Sequence, residues 1–368
     1  MTVGLNATCI SNRPSGAKQR FLGIYGALIR NNPNIEFIVF EPVDYTVGRY
    51  FDFPNVVAVR TPIPSEGWLH RYYNGLGYWK KALSKYRFDI FENINHALVK
   101  SPTGRRFLTV HDIRYINNPS SDWSKIVFSP AVLLSMYSAD QIITVSEAMK
   151  GEIIDIMPRA NVAVIYNGIA YEAFDSIMGE QVEEVKRKYE LPRQFLLTVG
   201  HLERRKNYKR LVAALYHLRQ QGFGHKLVIV GNDSGEGTAL RKTIAEYGLQ
   251  KDVLILSNLT NRELRCVYKL ADLFVFPSEY EGFGIPILEA MAAGIPMVMS
   301  DIPVFKEITQ NQGSYFPFDD PFAMSEVIAE GLSSDEKREA QIQYGTKRIV
   351  DFSFEEISKK LEALYFRG

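Results

Sequence analysis

Cysteine is nearly absent from this chain. There are two in 368 residues, Cys9 and Cys266, far apart and outside any C-x-x-C or metal-spaced histidine pattern. That usage excludes a disulfide framework and a zinc site, and a reducing compartment is the expectation. Net charge is nearly absent too: 43 Lys+Arg against 42 Asp+Glu leave +1, no general reason to expect a nucleic-acid polymer as partner. No uninterrupted apolar run approaches the length of a membrane-spanning helix. Met1-Thr2-Val3-Gly4 lacks a basic stretch followed by an apolar one, so the expectation is a soluble, cytoplasmic, untargeted chain. Low-complexity tracts and short-period repeats are missing as well.

What is present is an ordinary globular composition, 46% hydrophobic and 23% charged, in a chain long enough for two domains. Charge is uneven: residues 1–170 hold 18 Lys+Arg against 13 Asp+Glu, and the remainder 25 against 29. A mildly basic front half suits an anionic substrate or a membrane surface, and solvated faces that differ by chance suit it equally.

Short apolar runs alternate with longer amphipathic segments. In the first half Thr2–Ala7, Glu36–Phe40, Val56–Val59, Phe107–Val110, Gln141–Val145 and Val162–Tyr166 read as strands. Largely apolar strands of this length fit a parallel sheet covered on both faces. Between them, residues such as Phe21, Ile24, Tyr25, Leu28 and Ile29 carry helical spacing. A polar region, about 171–193, follows, with 182–189 as a surface helix. The pattern then restarts with Phe195–Val199, Lys226–Val230, Val253–Leu256, Leu273–Phe276 and Met297–Ser300. The reading is α/β: two Rossmann-like, doubly wound domains over residues 1–170 and 190–350. A final helical segment, about 353–368, is free to pack back on the first. Ligands of such sheets bind at the carboxyl ends of the strands.

Two constellations lie at such ends. After the strand 273–276 comes Glu281-Gly282-Phe283-Gly284-Ile285-Pro286, then Glu289 and Gly294-Ile295-Pro296. Pro286 suits a first helical position and Gly294 a stop, which predicts a short helix over about 286–293. Glycines before a helix N-terminus let the backbone approach an anion, and the dipole favours phosphate there. Glu289 lies in an otherwise apolar helix and needs a partner, either ligand hydroxyls or a lysine. The second constellation follows the strand 195–199: Gly200-His201-Leu202-Glu203-Arg204-Arg205-Lys206-Asn207. Three consecutive cations there suit a diphosphate, and a solvated basic loop would look the same.

Glu281, seven residues, then Glu289 resembles the E-x7-E motif of retaining glycosyltransferases of family 4. Gly200 to Asn207 is similar to that family's G-x-x-x-x-R-K-N segment. The resemblance continues in order through Val110-His111-Asp112, 139–147, 164–169, Leu227 to Gly231 and 314–319. It implies the GT-B fold, two Rossmann-like domains facing a central cleft, the first for acceptor and the second for donor. It also implies roles. Arg205 and Lys206 would hold the donor diphosphate and take up charge as the nucleotide leaves. Glu289 would accept from ribose hydroxyls. Glu281, with Gly282, Phe283 and Gly284, would grip the donor sugar and its phosphate. His111 resembles the histidine beside the transferred sugar, and Gly16 stands where the family has a glycine-rich turn. No Asp-x-Asp occurs, so neither a metal nor another cofactor is expected; the co-substrate is a nucleotide diphosphate sugar. Front-face attack, with the donor phosphate oxygen taking the acceptor's proton, leaves no general base to assign.

The resemblance is greatest to bacterial mannosyl- and rhamnosyltransferases of surface-polysaccharide assembly. GDP-mannose is therefore the first choice of donor, ahead of dTDP-rhamnose and UDP-hexoses, with a glycan or polyprenyl-diphosphate-linked glycan as acceptor. Aromatics and cations interleave at Trp68-Leu69-His70-Arg71-Tyr72-Tyr73 and Tyr78-Trp79-Lys80-Lys81. Such a stretch can lie on the inner face of an anionic membrane, or pack its aromatics on the first domain. Asn93-Ile94-Asn95-His96 and Asn117-Asn118 are candidate contacts to acceptor sugars. An epimerase or hydrolase on the same scaffold, and a non-catalytic nucleotide-sugar or glycan-binding subunit, remain as other readings. A dinucleotide oxidoreductase fails, because neither Gly75-Leu76-Gly77 nor 231–237 meets the G-x-G-x-x-G spacing.

Overall fold

The computed structural model describes residues 1–13, 15–75, 77–97, 99–117 and 123–366; the side chains of Trp68, Tyr115, Asn117 and residues 123–129 fall outside that description. The chain divides into two compact units, one of residues 1–169 with 353–368, the other of residues 170–352.

The first unit is built on seven parallel strands: β1 (Thr2–Asn6), β2 (Glu36–Glu41), β3 (Val56–Arg60), β4 (Ile90–Asn93), β5 (Arg105–Val110), β6 (Gln141–Thr144) and β7 (Val162–Val164), in the order β3-β2-β1-β4-β5-β6-β7. Period-two alternation sends neighbouring residues to opposite faces. Phe37 and Val39 of β2 join a cluster with Val3, Leu5, Ile24 and Leu28, while Ile38 and Phe40 join another with Leu83, Phe88 and Phe91. Both faces are thus covered, which is why these strands read as continuous apolar runs.

β4 escapes that reading, because its sequence Ile-Phe-Glu-Asn puts a carboxylate in a central strand. Glu92 is fully buried and accepts from three hydroxyls: Tyr25 at 2.6 Å, Thr109, and Tyr365 of the last helix. That helix, Phe354–Phe366, buries Ile357, Leu361 and Tyr365 in the cluster that holds Ile24 and Leu28.

The second unit holds six parallel strands: β8 (Phe195–Val199), β9 (Lys226–Val230), β10 (Val253–Leu256), β11 (Leu273–Phe276), β12 (Met297–Ser300) and β13 (Ser314–Phe316), in the order β10-β9-β8-β11-β12-β13. The polar region before β8 is part of this unit. Its helix Gly179–Lys188 lies along the helix Asn261–Leu270, with Lys188 2.6 Å and the Tyr189 hydroxyl 3.0 Å from Glu263. Two wholly parallel sheets are the architecture that strand–helix alternation predicts. Among the described residues no helix is long and apolar enough to cross a membrane.

Candidate active site

Strand β8 ends at Gly200, whose φ of +151° is a conformation that side chains rarely adopt. A Cβ there would also lie 2.8 Å from Lys206 Cε and 3.0 Å from the Tyr208 hydroxyl. The missing side chain lets the loop fold back, so that a 3₁₀ turn at Arg204–Lys206 returns over the end of the strand. Asn207 then turns left-handed (φ 59°), and the helix Tyr208–Gln220 begins.

The second strand end is formed by β11. Gly284, with φ +130°, caps the helix Ile285–Ala293, Pro286 lies in its first turn, and left-handed Gly294 stops it. Its N-cap residue, Gly284, has no side chain with which to cap it.

These two loops meet. Lys206 Nζ lies 2.6 Å from Glu281 Oε1, and Arg205 Nη1 lies 2.7 Å from Glu281 Oε2. Arg205 also donates to Glu203 at 2.8 Å and to the Tyr280 carbonyl at 3.1 Å. The Lys206 ammonium stands 4.9 Å over the Phe276 ring. Burial alone would raise the Glu281 carboxyl, but Lys206 and Arg205 outweigh it and bring the pKa down to about 2. Burial lowers Lys206 despite Glu281. Arg205 is raised: the charges of Glu281 and Glu203 overcome its desolvation.

The expected run of three cations therefore acts as two. Arg204 is exposed, while Arg205 and Lys206 turn inward onto carboxylates. Beside this loop lies a pocket of about 280 Å³ that involves Arg204, Lys209, Arg210, Glu236 and Glu279. Two of its three cations are matched by its own carboxylates, Arg210 with Glu279 and Lys209 with Glu236.

Glu289, eight residues after Glu281, pairs with no lysine among the described residues. Its Oε2 accepts from the Tyr268 hydroxyl at 2.8 Å, and burial raises its pKa. The sequence reading missed Tyr268; a tyrosine on the apolar face of an amphipathic helix was the available signal, since a buried hydroxyl seeks a partner. It also missed Glu203 and Glu92.

Gly16 and His111 belong to the first unit. Gly16 opens the helix Gly16–Arg20, which Ser15 caps, and its backbone is not one that requires glycine. His111 follows β5 and donates from Nε2 to the Ile94 carbonyl at 3.2 Å, since a carbonyl can only accept. Burial, helped by the charge of Arg20, lowers its pKa to about 3, so the imidazole is neutral. Arg20 is itself buried and donates to the carbonyls of Ile165 and Tyr166 at 2.8 and 2.7 Å.

Asn93 is buried, bonded to Asn6 and to the Val99 carbonyl, and so braces the loop that follows β4. Asn118 and the side chains of Asn117 and Trp68 lie outside the described residues. The interleaved aromatics divide. Leu69, Tyr72 and Tyr73 are exposed on the helix Trp68–Gly75, whereas Trp79 packs on Phe40 at 5.3 Å. Among the described residues no group of three or more His, Cys, Asp or Glu could hold a metal ion.

Known proteins resemble this chain over nearly all of it. The family model Glycosyltransferase Family 4 matches residues 16–172, and Glycosyl transferases group 1 matches residues 181–348. The O-antigen chain mannosyltransferase B of Escherichia coli is 29% identical over 284 residues, 74% of this chain and 73% of that protein. The O-antigen chain mannosyltransferase RfbU of Salmonella typhimurium is 29% identical over 223 residues, 60% of this chain and 59% of that one. Among solved structures WaaG, a glycosyltransferase involved in lipopolysaccharide biosynthesis, superposes over 100% of both chains with a TM-score of 0.77 at 14% identity, a likeness of fold.

Proposed function

The chain belongs to the family 4 and group 1 glycosyltransferases, and from that premise we propose that it is a retaining, metal-independent mannosyltransferase. It takes mannose from GDP-mannose and passes it to a glycan or polyprenyl-diphosphate-linked glycan of a surface polysaccharide. The observation that carries the reading is the meeting of Arg205, Lys206 and Glu281 at the ends of β8 and β11. The names of the Escherichia coli and Salmonella relatives support mannose.

The chemistry follows from charge. As the bond from sugar C1 to phosphate oxygen breaks, the sugar gains positive charge and the diphosphate negative charge. Arg205 and Lys206 take up the latter, and fixed cations in a water-poor site stabilise that transition state more than the ground state. The diphosphate competes with Glu281 for the two cations, and the displaced carboxylate accepts from sugar hydroxyls. The backbone of Gly282, Phe283 and Gly284 leads into the N-terminus of the helix Ile285–Ala293 and receives phosphate oxygens. The acceptor oxygen bonds to C1 on the face the diphosphate leaves, and its proton passes to the departing phosphate oxygen. Glu289 accepts from the ribose, and neutral His111 faces the transferred sugar as a hydrogen-bonding group. Gly16 contributes backbone near the phosphate. Exposed Leu69, Tyr72 and Tyr73, with Lys80 and Lys81 following, suit a lipid-linked acceptor at an anionic bilayer.

The test is transfer from GDP-mannose, dTDP-rhamnose and UDP-glucose to membrane-extracted lipid-linked glycans, with and without EDTA. Product anomers are assigned by NMR. The expected result is an α-mannoside from GDP-mannose alone, unaffected by EDTA. Transfer from another donor would move the specificity to that sugar, inverted product would end the retaining assignment, and loss with EDTA would end metal independence. No transfer from any donor would favour a non-catalytic binding subunit.

A further inference from the structure

One contact beside the proposed donor site has no part in the chemistry above. Tyr268 lies on the helix Asn261–Leu270 and is fully buried. The start of that helix is fixed by a reciprocal cap between Thr260 and Glu263. The Tyr268 ring is held between Phe174 at 6.2 Å and Phe274 at 5.6 Å. So placed, its hydroxyl reaches two acceptors, Glu289 Oε2 at 2.8 Å and the Pro286 carbonyl at 3.5 Å. A phenol has one proton, and the shorter, carboxylate bond takes it. Among the described residues no donor is recorded for Oε1 of Glu289, whose side chain is only partly covered.

We propose that Tyr268 is the positioning residue for Glu289, holding Oε2 so that Oε1 is left to accept from the vicinal hydroxyls of a ribose. The inference rests on the proposed ribose role of Glu289. Without the tyrosine proton the carboxylate could swing, or take up a proton and become a donor facing other donors.

The charged groups acting on Glu289 are Arg265, on the same helix as Tyr268, and Lys206. Around them Phe174 and Phe274 lie on the tyrosine, Phe352 lies on Phe283, Gly345 is beside Met291, and the phenol of Tyr208 acts on Tyr268. A hydroxyl bond favours the ionised form, so its loss moves the Glu289 pKa further upward. Ribose affinity needs the ionised acceptor, which is present above that pKa and lost below it. Removing the hydroxyl therefore moves the acid-side loss of affinity to higher pH.

The experiment measures binding of GDP, with UDP in parallel, and of the 2′,3′-dideoxy form of each, to wild type, Tyr268→Phe and Glu289→Gln. Calorimetry near neutral pH and in mild acid gives the affinities, and thermal melts check folding. Tyr268→Phe is expected to weaken the ribonucleotide about tenfold, leave the dideoxy form unchanged, and lose affinity at higher pH than wild type. Glu289→Gln should likewise weaken the ribonucleotide and spare the dideoxy form. If Glu289→Gln loses ribose selectivity and folded Tyr268→Phe keeps it, the inference is overturned while the ribose role stands. If Tyr268→Phe weakens both forms equally, its role is structural and the inference is also overturned. If Glu289→Gln keeps full selectivity, or wild type binds neither nucleotide, the ribose reading itself falls.

Discussion

Lys206 and Glu281 meet at 2.6 Å with side chains only 8% and 11% exposed. From sequence, alanine at either position is expected to cut transfer by orders of magnitude and leave the fold intact. Removing one partner of a buried pair instead costs about 3–5 kcal/mol, because the other charge stays buried and unmatched. Glu281→Ala strands Lys206 and leaves Arg205 with Glu203 as its one carboxylate among the described residues, whereas Lys206→Ala leaves Arg205 on the Glu281 carboxylate. Both variants should lose transfer, and Glu281→Ala should melt the lower of the two, by about 10 °C below wild type. Differential scanning calorimetry decides; a wild-type melting curve for Glu281→Ala contradicts the burial argument.

The same carboxylate predicts an acid limb. Its pKa is lowered from an ordinary 4.5 to about 2, so its stabilisation is complete above the ordinary value and is lost as pH falls through about 2. Denaturant midpoints followed down that range should decline, and Glu281→Gln should flatten part of the decline. Parallel slopes for the two proteins would remove Glu281 from the account.

His111 acts in the same sense over a higher pH range. Its pKa falls from 6.5 to about 3, so the unfolded chain takes up a proton over that interval before the folded one does. Stability is lost as pH drops below 6.5, and the imidazole stays neutral near pH 7. Nitrogen-15 NMR of labelled histidine should show a neutral ring, protonated at Nε2, well below pH 6.5. A titration midpoint near 6.5 is the contrary result.

Glu92 ties the last helix to the first unit through the Tyr365 hydroxyl. Tyr365→Phe removes one of three donors from a fully buried carboxylate and should cost about 1–3 kcal/mol. Thermal melts measure it. Glu92→Gln with Tyr365→Phe should cost less than the two single losses summed, since they share one bond.

Much of the fold is legible because β1, β2, β8 and β11 are apolar on both faces, and buried parallel strands must be. Gly284, Pro286 and Gly294 likewise mark the helix Ile285–Ala293 by local conformation alone. β4 is not legible, since Glu92 breaks its apolar run and only distant hydroxyls make that residue tolerable. The site divides the same way. Its residue types are visible in the two loops, but that Glu281 lies between Arg205 and Lys206 depends on the pairing of β8 with β11. Sequence spacing carries no sign of it. The Tyr268–Glu289 bond depends on how two helices pack, which is equally silent in the pattern.

The placement of Phe354–Phe366 also sets a timetable. The first unit draws this helix from the far end of the chain, after residues 170–352 have formed the second. At synthesis rates of about 5–20 residues per second, that intervening stretch takes roughly 10–40 s to emerge. Through that interval the seven-stranded sheet lacks the cover of Ile357, Leu361 and Tyr365, and Glu92 is short of one donor. The unit synthesised first is completed last.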